Sequence, residues 1–324
     1  MTLQNLEIQS YAQHFRAKPS IETARELKVI LETVAKFTDE GLDMWFNENG
    51  ILIQFMDQSG AIFVKTEIDK AAFESYQTSG SLVLNFNPTT LAKILSTARD
   101  EERIVFSYPA LKSDGFDFGL DENSTEDDVA RFGISFDNGF KERLYDVPQQ
   151  QQTDSDVSDV AERAMSIEMA TSVTFEGNVL IKNVVDMKIQ AHKADDPFNI
   201  RILIDDSEKV QLALADNSLE RATNVKLVLR KNDSDDCKIK DIEWDESVDP
   251  QSSTYGFEYL VFLEKLDQIA ESFKFAFSKD GPFRVTLEKE NFVYKMLGAP
   301  LETEDDFDEP EPEPEPENTD ESKE

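Results

Sequence analysis

Residues 42–68 read LDMWFNENGILIQFMDQSGAIFVKTEI, and this stretch decides the fold. It contains three strand-like runs, Leu42–Phe46, Ile51–Met56 and Ala61–Ile68, with Asn49-Gly50 between the first two. An Asn-Gly pair between alternating apolar runs is a strong hairpin signal. The stretch therefore predicts consecutive antiparallel strands.

Two helices flank these strands. Ile21–Lys36 has apolar residues at a helical spacing, and a second helix opens at Asn87-Pro88-Thr89, where proline occupies the favoured first turn. Further strands are predicted at Ser81–Phe86, Ile104–Tyr108 and Phe132–Phe136.

The second half of the chain repeats this order of elements with little residue identity. The predicted helices are Gly177–Lys188 and Tyr259–Ile269. The predicted strands are Ser166–Phe175, Ile200–Ile204, Val210–Ala215, Val225–Leu229, Phe273–Phe277, Phe283–Leu287 and Phe292–Met296. The sequence thus predicts an α+β fold of two similar domains, each with antiparallel sheets and two helices.

Polar and low-complexity stretches divide the chain. We predict an N-terminal extension at 1–14, a first domain at 15–147, a connector at 148–165, a second domain at 166–304 and a tail at 305–324. Glu302–Glu324 contains 13 acidic residues and one lysine, with alternating Glu and Pro at Glu309–Glu317. Like charges and prolines predict that this tail is extended and solvated. Asp121–Asp128 reads as an acidic loop.

Composition excludes several classes of protein. The 324 residues carry a formal net charge of −34, and 39% are apolar, enough for a sizeable core. No apolar stretch is long enough to cross a bilayer, and no secretory signal is visible. The single cysteine, Cys237, suits a reducing, intracellular setting. The acidity argues against a surface that coats nucleic acid indiscriminately, but it permits a local basic face.

Catalytic signals are weak. His14 and His192 are the only histidines, and no glycine-rich phosphate loop is present. Cys237 lies among acids that disfavour a thiolate. Asp233–Asp236 lacks the Gly and terminal Glu of a calcium loop. We therefore predict no catalytic residue, no metal and no cofactor.

Several segments resemble one family, the DNA sliding clamps of archaea and eukaryotes called proliferating cell nuclear antigen. The most specific is the hairpin Gly50–Ala61 (GILIQFMDQSGA). The others, in the family's order and spacing, are Leu27–Phe37 (LKVILETVAKF), Leu84–Leu95 (LNFNPTTLAKIL), Phe257–Lys265 (FEYLVFLEK) and Tyr294–Leu301 (YKMLGAPL).

This resemblance implies a function without chemistry. Three subunits, identical or different, would close head-to-tail into a ring around duplex DNA, with helices lining the hole. DNA polymerase, clamp loader, flap nuclease and ligase would dock through short motifs during replication and repair. No membrane is involved, and the compartment would be cytoplasm or nucleoid in an archaeon and the nucleus in a eukaryote.

The resemblance also implies three groups of residues. Those facing DNA are Lys28, Lys93, Arg99, Lys182, Lys188 and Lys265. Those forming the partner-docking pocket are Met56, Leu144, Pro148, Ala299, Pro300 and Leu301. Those at the subunit interface, on the edge strands Phe132–Phe136 and Val225–Leu229, are Phe132, Ile134, Phe136, Val225, Leu227 and Leu229.

Alternatives stay open at this point. The lysines could be an ordinary solvated face, Met56 a core residue, and both edge strands internal to their sheets. As a whole, the chain could instead be an acidic β-rich oligomeric chaperone for basic proteins, with the tail as the binding element. It could also be a specialised, checkpoint-type clamp subunit of a heterotrimer.

Overall fold

The computed structural model describes residues 14–38, 41–108, 131–148, 163, 165–177, 179–190, 199–215, 226–231, 239–244 and 249–300. The N-terminal extension, the acidic loop Asp121–Asp128, most of the connector and the tail lie outside these ranges. Among the helices within them, none is long and apolar enough to cross a membrane.

The first half of the described chain alternates strands with two helices. The helices are α1 (Ile21–Val34) and α2 (Pro88–Leu95), and a 3₁₀ turn at Lys70–Ala72 lies among the strands between them. The strands are β1 (Phe15–Pro19), β2 (Leu42–Asn47), β3 (Gly50–Met56), β4 (Ile62–Asp69), β5 (Phe73–Thr78), β6 (Leu82–Phe86), β7 (Arg103–Tyr108), β8 (Phe132–Asp137) and β9 (Glu142–Val147).

The second half has the same kinds of element. Its helices are α3 (Val179–Gln190) and α4 (Phe257–Val261), and a 3₁₀ segment, Phe262–Gln268, follows α4 directly. The strands are β10 (Thr171–Glu176), β11 (Asn199–Asp206), β12 (Lys209–Ala215), β13 (Lys226–Arg230), β14 (Ile239–Glu243), β15 (Gln251–Gly256), β16 (Ser272–Phe277), β17 (Phe283–Lys289) and β18 (Phe292–Gly298). The helix predicted at Tyr259–Ile269 is therefore part α-helix and part 3₁₀, and the strand predicted from Ser166 begins at Thr171.

The β2–β3 hairpin depends on local chemistry at its turn. The Asn49 backbone N–H donates to Asn47 Oδ1 at 2.9 Å. Gly50 has φ +144°, and a Cβ there would lie 2.0 Å from the Ile68 carbonyl oxygen of the neighbouring strand β4. Only glycine permits so close an approach of two strands at this turn.

Both helices of the first half begin at capped ends. The Ser20 hydroxyl accepts the Thr23 N–H at 3.0 Å, and the Asn87 side chain accepts the Thr90 N–H at 2.9 Å. These bonds satisfy backbone donors that the first turn leaves unpaired. The apolar stripes predicted for α1 and α2 are buried in the core.

Three sheets contain all the described strands, and their order shows the internal duplication. The five-stranded sheet runs β5-β1-β7-β8-β9, and the four-stranded sheet runs β13-β12-β11-β15. The nine-stranded sheet runs β14-β10-β16-β17-β18-β4-β3-β2-β6, so its first five strands repeat the five-stranded sheet and its last four repeat the four-stranded one. The predicted α+β fold of two similar antiparallel units is confirmed.

The predicted edge position of Phe132–Phe136 is wrong. Strand β8 lies between β7 and β9, and the side chains of Phe132, Ile134 and Phe136 are buried. The edge strand next to β8 is β9, Glu142–Val147, whose charged residues hid its strand character in the sequence. In the second half, β13 does lie at a sheet edge.

The two halves meet where β18 pairs with β4. Seven consecutive residues of β18, Phe292–Gly298, lie opposite Ile68–Ile62 in antiparallel register. At the end of β17, Lys289 Nζ lies 2.5 Å from Glu26 Oε1 and 3.2 Å from Glu22 Oε1 on α1. The hydrogen bond to Glu26 raises the pKa of Lys289 above its ordinary value. Main-chain and side-chain contacts thus join the halves.

The helical segments of both halves form one layer. Helix α1 packs against α2 and against Phe262–Gln268 of the second half, and α3 packs against α4. The core lies between this layer and the sheets and is rich in aromatic rings, such as Phe46 against Phe132 and Phe275 against Phe283. The layer therefore presents its polar side away from the sheets.

Gly298, at the joint between the halves, leaves no room for a larger side chain. A Cβ at Gly298 would lie 2.1 Å from the ring of Phe283. We expect Gly298→Ala to lower the free energy of unfolding by roughly 1–3 kcal/mol, because it overpacks the core. Denaturant unfolding followed by circular dichroism measures this change.

Tyr294→Phe is the matched control on the same strand. The Tyr294 hydroxyl is buried and has no hydrogen-bond partner in the described part of the chain. Removing it should not lower stability, since a buried hydroxyl without a partner is unfavourable. Equal stability of Gly298→Ala and the parent would contradict the close packing at this joint.

Candidate functional site

The exposed side of the helical layer carries interleaved charges. On α1, Lys28 Nζ lies 3.6 Å from Glu32, and Lys265 of the second half lies 3.4 Å from the same carboxylate. Arg25, also on α1, pairs with Asp100. Two of the predicted DNA-facing lysines, Lys28 and Lys265, are therefore brought together across the joint by one acid.

The other predicted DNA-facing residues spread along this layer. Lys93 is exposed on α2 and Lys182 on α3, and neither forms an ion pair with another described residue. Arg99 is exposed in the loop after α2, and Lys188 belongs to α3. Every helix in the layer except α4 thus contributes at least one predicted cation, and the adjoining 3₁₀ segment contributes Lys265.

The opposite side of the molecule is the outer face of the nine-stranded sheet, which carries the side chains that alternate with those of the core. Met56, Leu297 and Arg284 are half-buried on this face, whereas Phe63 is buried beneath its neighbours. Directly opposite residues of antiparallel strands share a face. Met56 lies opposite Phe63, Phe63 opposite Leu297, and Leu297 opposite Arg284. Four side chains from β3, β4, β18 and β17 therefore form one row on this outer face.

The turn next to Met56 is fixed by Asp57. Its carboxylate accepts the Ile62 N–H at 2.6 Å, and its backbone N–H donates to the Ile62 carbonyl at 3.0 Å. The Ala299 N–H donates to the Ala61 carbonyl at 2.8 Å, which brings the end of the second half to this turn. Met56, Ala299 and Pro300 therefore lie at the same end of the sheet.

The end of the connector crosses the same row. Arg284 Nη1 donates to the carbonyl oxygens of Met165 at 2.9 Å and Ile167 at 3.2 Å. Ile167, whose carbonyl oxygen contacts this row, is 42% exposed. We call Met56, Phe63, Leu297, Ile167, Ala299 and Pro300 the outer patch.

The outer patch differs from the pocket expected from the sequence. Leu144 lies in β9 of the five-stranded sheet and Pro148 just after it, so neither belongs to the row that contains Met56. Leu301 lies outside the described residues. The connector begins beside the five-stranded sheet and ends over the nine-stranded sheet. Residues at its start and residues at its end therefore lie on different surfaces, which explains the difference.

Sequence reasoning missed Phe63, Leu297, Ile167 and Arg284. A signal for the first two existed in the alternation of their strands, which puts them on the face opposite the core. The position of Arg284 depends on a side-chain hydrogen bond to a distant segment, and no local pattern reveals such a contact.

The two sheet edges have different side chains. On β9, Arg143 is held by Glu102 at 2.5 Å and by the Thr97 carbonyl at 2.9 Å, and its guanidinium lies 4.8 Å from the centre of the Phe136 ring. On β13, Val228 is 37% exposed while Leu229 is buried. Leu227 is half-buried on β13, and Val225 lies outside the described residues.

Metal-binding groups do not cluster where the chain is described. Among those residues, no group of three or more His, Cys, Asp or Glu side chains could hold an ion. His192 and Cys237 lie outside them. What the described geometry offers is a charged helical face, an apolar outer patch and the edge strands β9 and β13.

Comparison with known proteins bears on this arrangement. Residues 17–136 match the family model described as proliferating cell nuclear antigen, N-terminal domain. Over 83 residues the chain is 36% identical to DNA polymerase sliding clamp 1 of Sulfolobus acidocaldarius. This match covers 26% of the chain and spans about a third (33%) of the length of that relative.

Solved structures agree over a longer range. The PCNA2–PCNA3 complex from Sulfolobus tokodaii contains a chain that aligns with a TM-score of 0.66 and 15% identity, covering 88% of this chain and 98% of that one. PCNA from Thermococcus kodakaraensis aligns with a TM-score of 0.65 and 18% identity, covering 89% and 100%. At these identities the likeness concerns the fold. The first half of the chain thus resembles the N-terminal domain of proliferating cell nuclear antigen in sequence, and the described residues share the fold of the two aligned PCNA structures.

Proposed function

We propose that this protein is a ring-shaped DNA sliding clamp that tethers DNA polymerase and other replication and repair enzymes to duplex DNA. One observation carries the proposal. The free edges β9 and β13 are the counterparts of β18 and β4, which already pair within the chain. Joining β9 of one subunit to β13 of the next would therefore repeat the internal joint.

The strand register of this contact follows from the hairpins. The β8–β9 and β17–β18 hairpins both close on two-residue tips, as do β2–β3 and β11–β12. When the tips of equivalent hairpins are superimposed, Glu142 of β9 takes the position of Val293 of β18. In the same way, Val228 of β13 takes the position of Glu67 of β4. Val293 lies opposite Glu67 within the chain. Glu142 of one subunit is then expected opposite Val228 of the next.

Such a contact is head-to-tail, so it yields a ring when the rotation closes. It also removes two exposed strand edges, which otherwise favour uncontrolled association. Three subunits with two similar units each would give six units around the hole. The ring is either a homotrimer of this chain or a heterotrimer with related chains. Measuring the molar mass of the chain purified alone, and again after mixing with related chains, distinguishes the two.

The helical layer supplies the surface for DNA. Lys28, Lys93, Lys182 and Lys265 present flexible ammonium groups from both halves. Such groups attract phosphates without reading base edges, which is what a clamp that slides requires. Because the chain is strongly acidic overall, this attraction acts only within a Debye length, ~8 Å at physiological salt.

The outer patch supplies the surface for partners. A short helical turn with aliphatic and aromatic anchors would fit the apolar row of Met56, Phe63 and Leu297, beside the connector end. Polymerase, clamp loader, flap nuclease and ligase would share this patch. The clamp itself performs no reaction; it keeps an enzyme at high effective concentration on its template.

The acidic-chaperone alternative is not favoured. It gives no reason for the family match of residues 17–136 or for the duplicated sheet order. A clamp acts wherever the DNA is, so we expect this protein to be found with replicating DNA.

The subunit contact can be tested by a disulfide. Opposite residues of antiparallel strands have Cα atoms ~4.5–5.5 Å apart, within the range that a disulfide spans. We expect Glu142→Cys with Val228→Cys, in a Cys237→Ser background, to give covalently linked trimers on mild oxidation. Denaturing gels and light scattering measure the products.

The control pairs Glu142→Cys with Lys274→Cys, which lies on the outer face of the nine-stranded sheet away from both free edges. Cross-linking of this pair to the same extent, or a parent protein that stays monomeric at every concentration, would refute the head-to-tail ring.

The docking surface can be tested with a peptide that carries one aliphatic and two aromatic anchors. We expect Met56→Glu to weaken its binding roughly tenfold or more, because a charge replaces an apolar contact at the centre of the patch. Isothermal titration calorimetry measures the affinity. Leu52→Glu, on the same strand and face but four residues away, should bind like the parent. Equal affinity of Met56→Glu and the parent would move the docking surface elsewhere.

The DNA path can be tested by changing the charge of the helical layer in both directions. Replacing Lys28, Lys93 and Lys265 together by Ala should reduce polymerase stimulation on a circular template. Each lost phosphate contact should reduce the slope of log DNA affinity against log salt concentration by up to about 0.9. Glu32→Gln should act in the opposite direction, since it frees two lysines from a competing carboxylate.

Primer extension over a salt series measures both effects. Lys274→Ala removes an ion-paired lysine from the outer sheet and serves as the control. If the triple variant stimulates synthesis as fully as the parent, these lysines do not contact DNA.

A further inference from the structure

Phe140 is a large apolar side chain that is completely exposed in the single chain. It occupies the tip of the β8–β9 hairpin, and the turn around it is well ordered by side chains. Asn138 Oδ1 accepts the N–H groups of Phe140 at 3.1 Å and Lys141 at 2.9 Å, and Asp137 Oδ1 accepts that of Gly139 at 2.7 Å. The turn therefore presents the ring from a fixed position.

The counterpart of Phe140 within the chain is Asn291, at the tip of the β17–β18 hairpin. Its carbonyl oxygen accepts the Asp69 N–H of β4 at 2.9 Å, so this tip rests against the other half. A groove of about 400 Å³ remains there, and its lining includes Glu67, Asp69, Glu290 and Asn291. The acidic and amide groups form a polar rim, and Leu52, Phe292 and Val293 add apolar surface to the same groove.

In the proposed ring, the counterpart of this groove lies between subunits and has different side chains. In the register derived above, Val228 replaces Glu67, Arg230 replaces Asp69, and Phe140 replaces Asn291. Val228 is one of the few large apolar residues that are exposed in the described chain. At the rim nearest to Phe140, two carboxylates are thus replaced by one apolar side chain and one cation.

We propose that Phe140 of one subunit fills the groove formed by Val228 and Arg230 of the next and is the main apolar anchor of the ring. This inference rests on the proposed ring. The phenyl ring would cover Val228 and the aliphatic part of Arg230, with the guanidinium near the ring face. An aromatic residue buried against an arginine is a typical interface hot spot.

The contact between subunits needs such an anchor, whereas the β18–β4 joint within the chain does not. Within the chain, β18 and β4 are held together by the continuous polypeptide and by the contact of Lys289 with Glu26. Between subunits the polypeptide is not continuous, and the β8–β9 hairpin has Asn138 in place of a lysine at the position of Lys289. An apolar contact supplies the missing attraction.

The test is the concentration at which the ring dissociates. Phe140→Ala should raise this concentration roughly tenfold or more, as measured by sedimentation or mass photometry over a dilution series. Val228→Ala should raise the dissociation concentration as well. In the double variant, the dissociation concentration should rise by less than the product of the two single effects, because both substitutions remove the same contact. Asn291→Ala, the matched change at the internal joint, should leave it unchanged.

Folding of the variants can be checked separately. Since the Phe140 side chain is fully exposed in the single chain, Phe140→Ala and the parent should unfold at the same temperature when both are diluted to monomers. If the parent forms trimers and Phe140→Ala dissociates at the same concentration as the parent, the anchor is refuted and the ring is not. A parent that never assembles would overturn the ring itself.

Discussion

Seven residue pairs join β18 to β4, so the two halves of the chain share one nine-stranded sheet. Every other large feature depends on this pairing. It brings Leu297 beside Phe63, and thereby creates an apolar row from residues more than 200 positions apart. It places Phe262–Gln268 against α1, which unites the helices in one layer. It also joins β18 to β4, whereas their counterparts in the other sheets, β9 and β13, stay at sheet edges.

The chemistry of the two sides is separated accordingly. The helical side carries lysines and carboxylates at helix spacing, whereas the outer sheet side carries Met56, Phe63 and Leu297. A surface for a polyanion and a surface for apolar peptide anchors would interfere if they overlapped. The sheet, with side chains alternating between its two faces, keeps them apart without any additional domain.

Much of the fold could be predicted from local pattern. The Asn49-Gly50 turn, the capped helix starts at Ser20 and Asn87, and the alternation of apolar residues are short-range signals. Strands such as β5, β9 and β14 lack clean alternation and were missed; because β9 was missed, β8 was assigned to the edge. Sheet order is a long-range property, and one unrecognised strand changes which edge is free. In the site, single helix positions such as Lys28 and Lys265 could be named, but Glu32 as their shared partner could not. Arg284 was beyond prediction because its partners are backbone carbonyls over 100 residues away.

The location of Pro300 at the end of the outer patch has a kinetic consequence. The chain continues from there into Glu302–Glu324, which has 13 acids against one lysine, a net charge of −12. A concentrated negative potential beside a binding surface accelerates the approach of oppositely charged molecules and slows that of similarly charged ones. Docking segments flanked by lysine or arginine would therefore arrive faster than acidic ones with the same apolar anchors. Their residence times, which depend on the buried contacts, would stay alike, so competition among partners would be decided by the rate of arrival and would fade as salt rises.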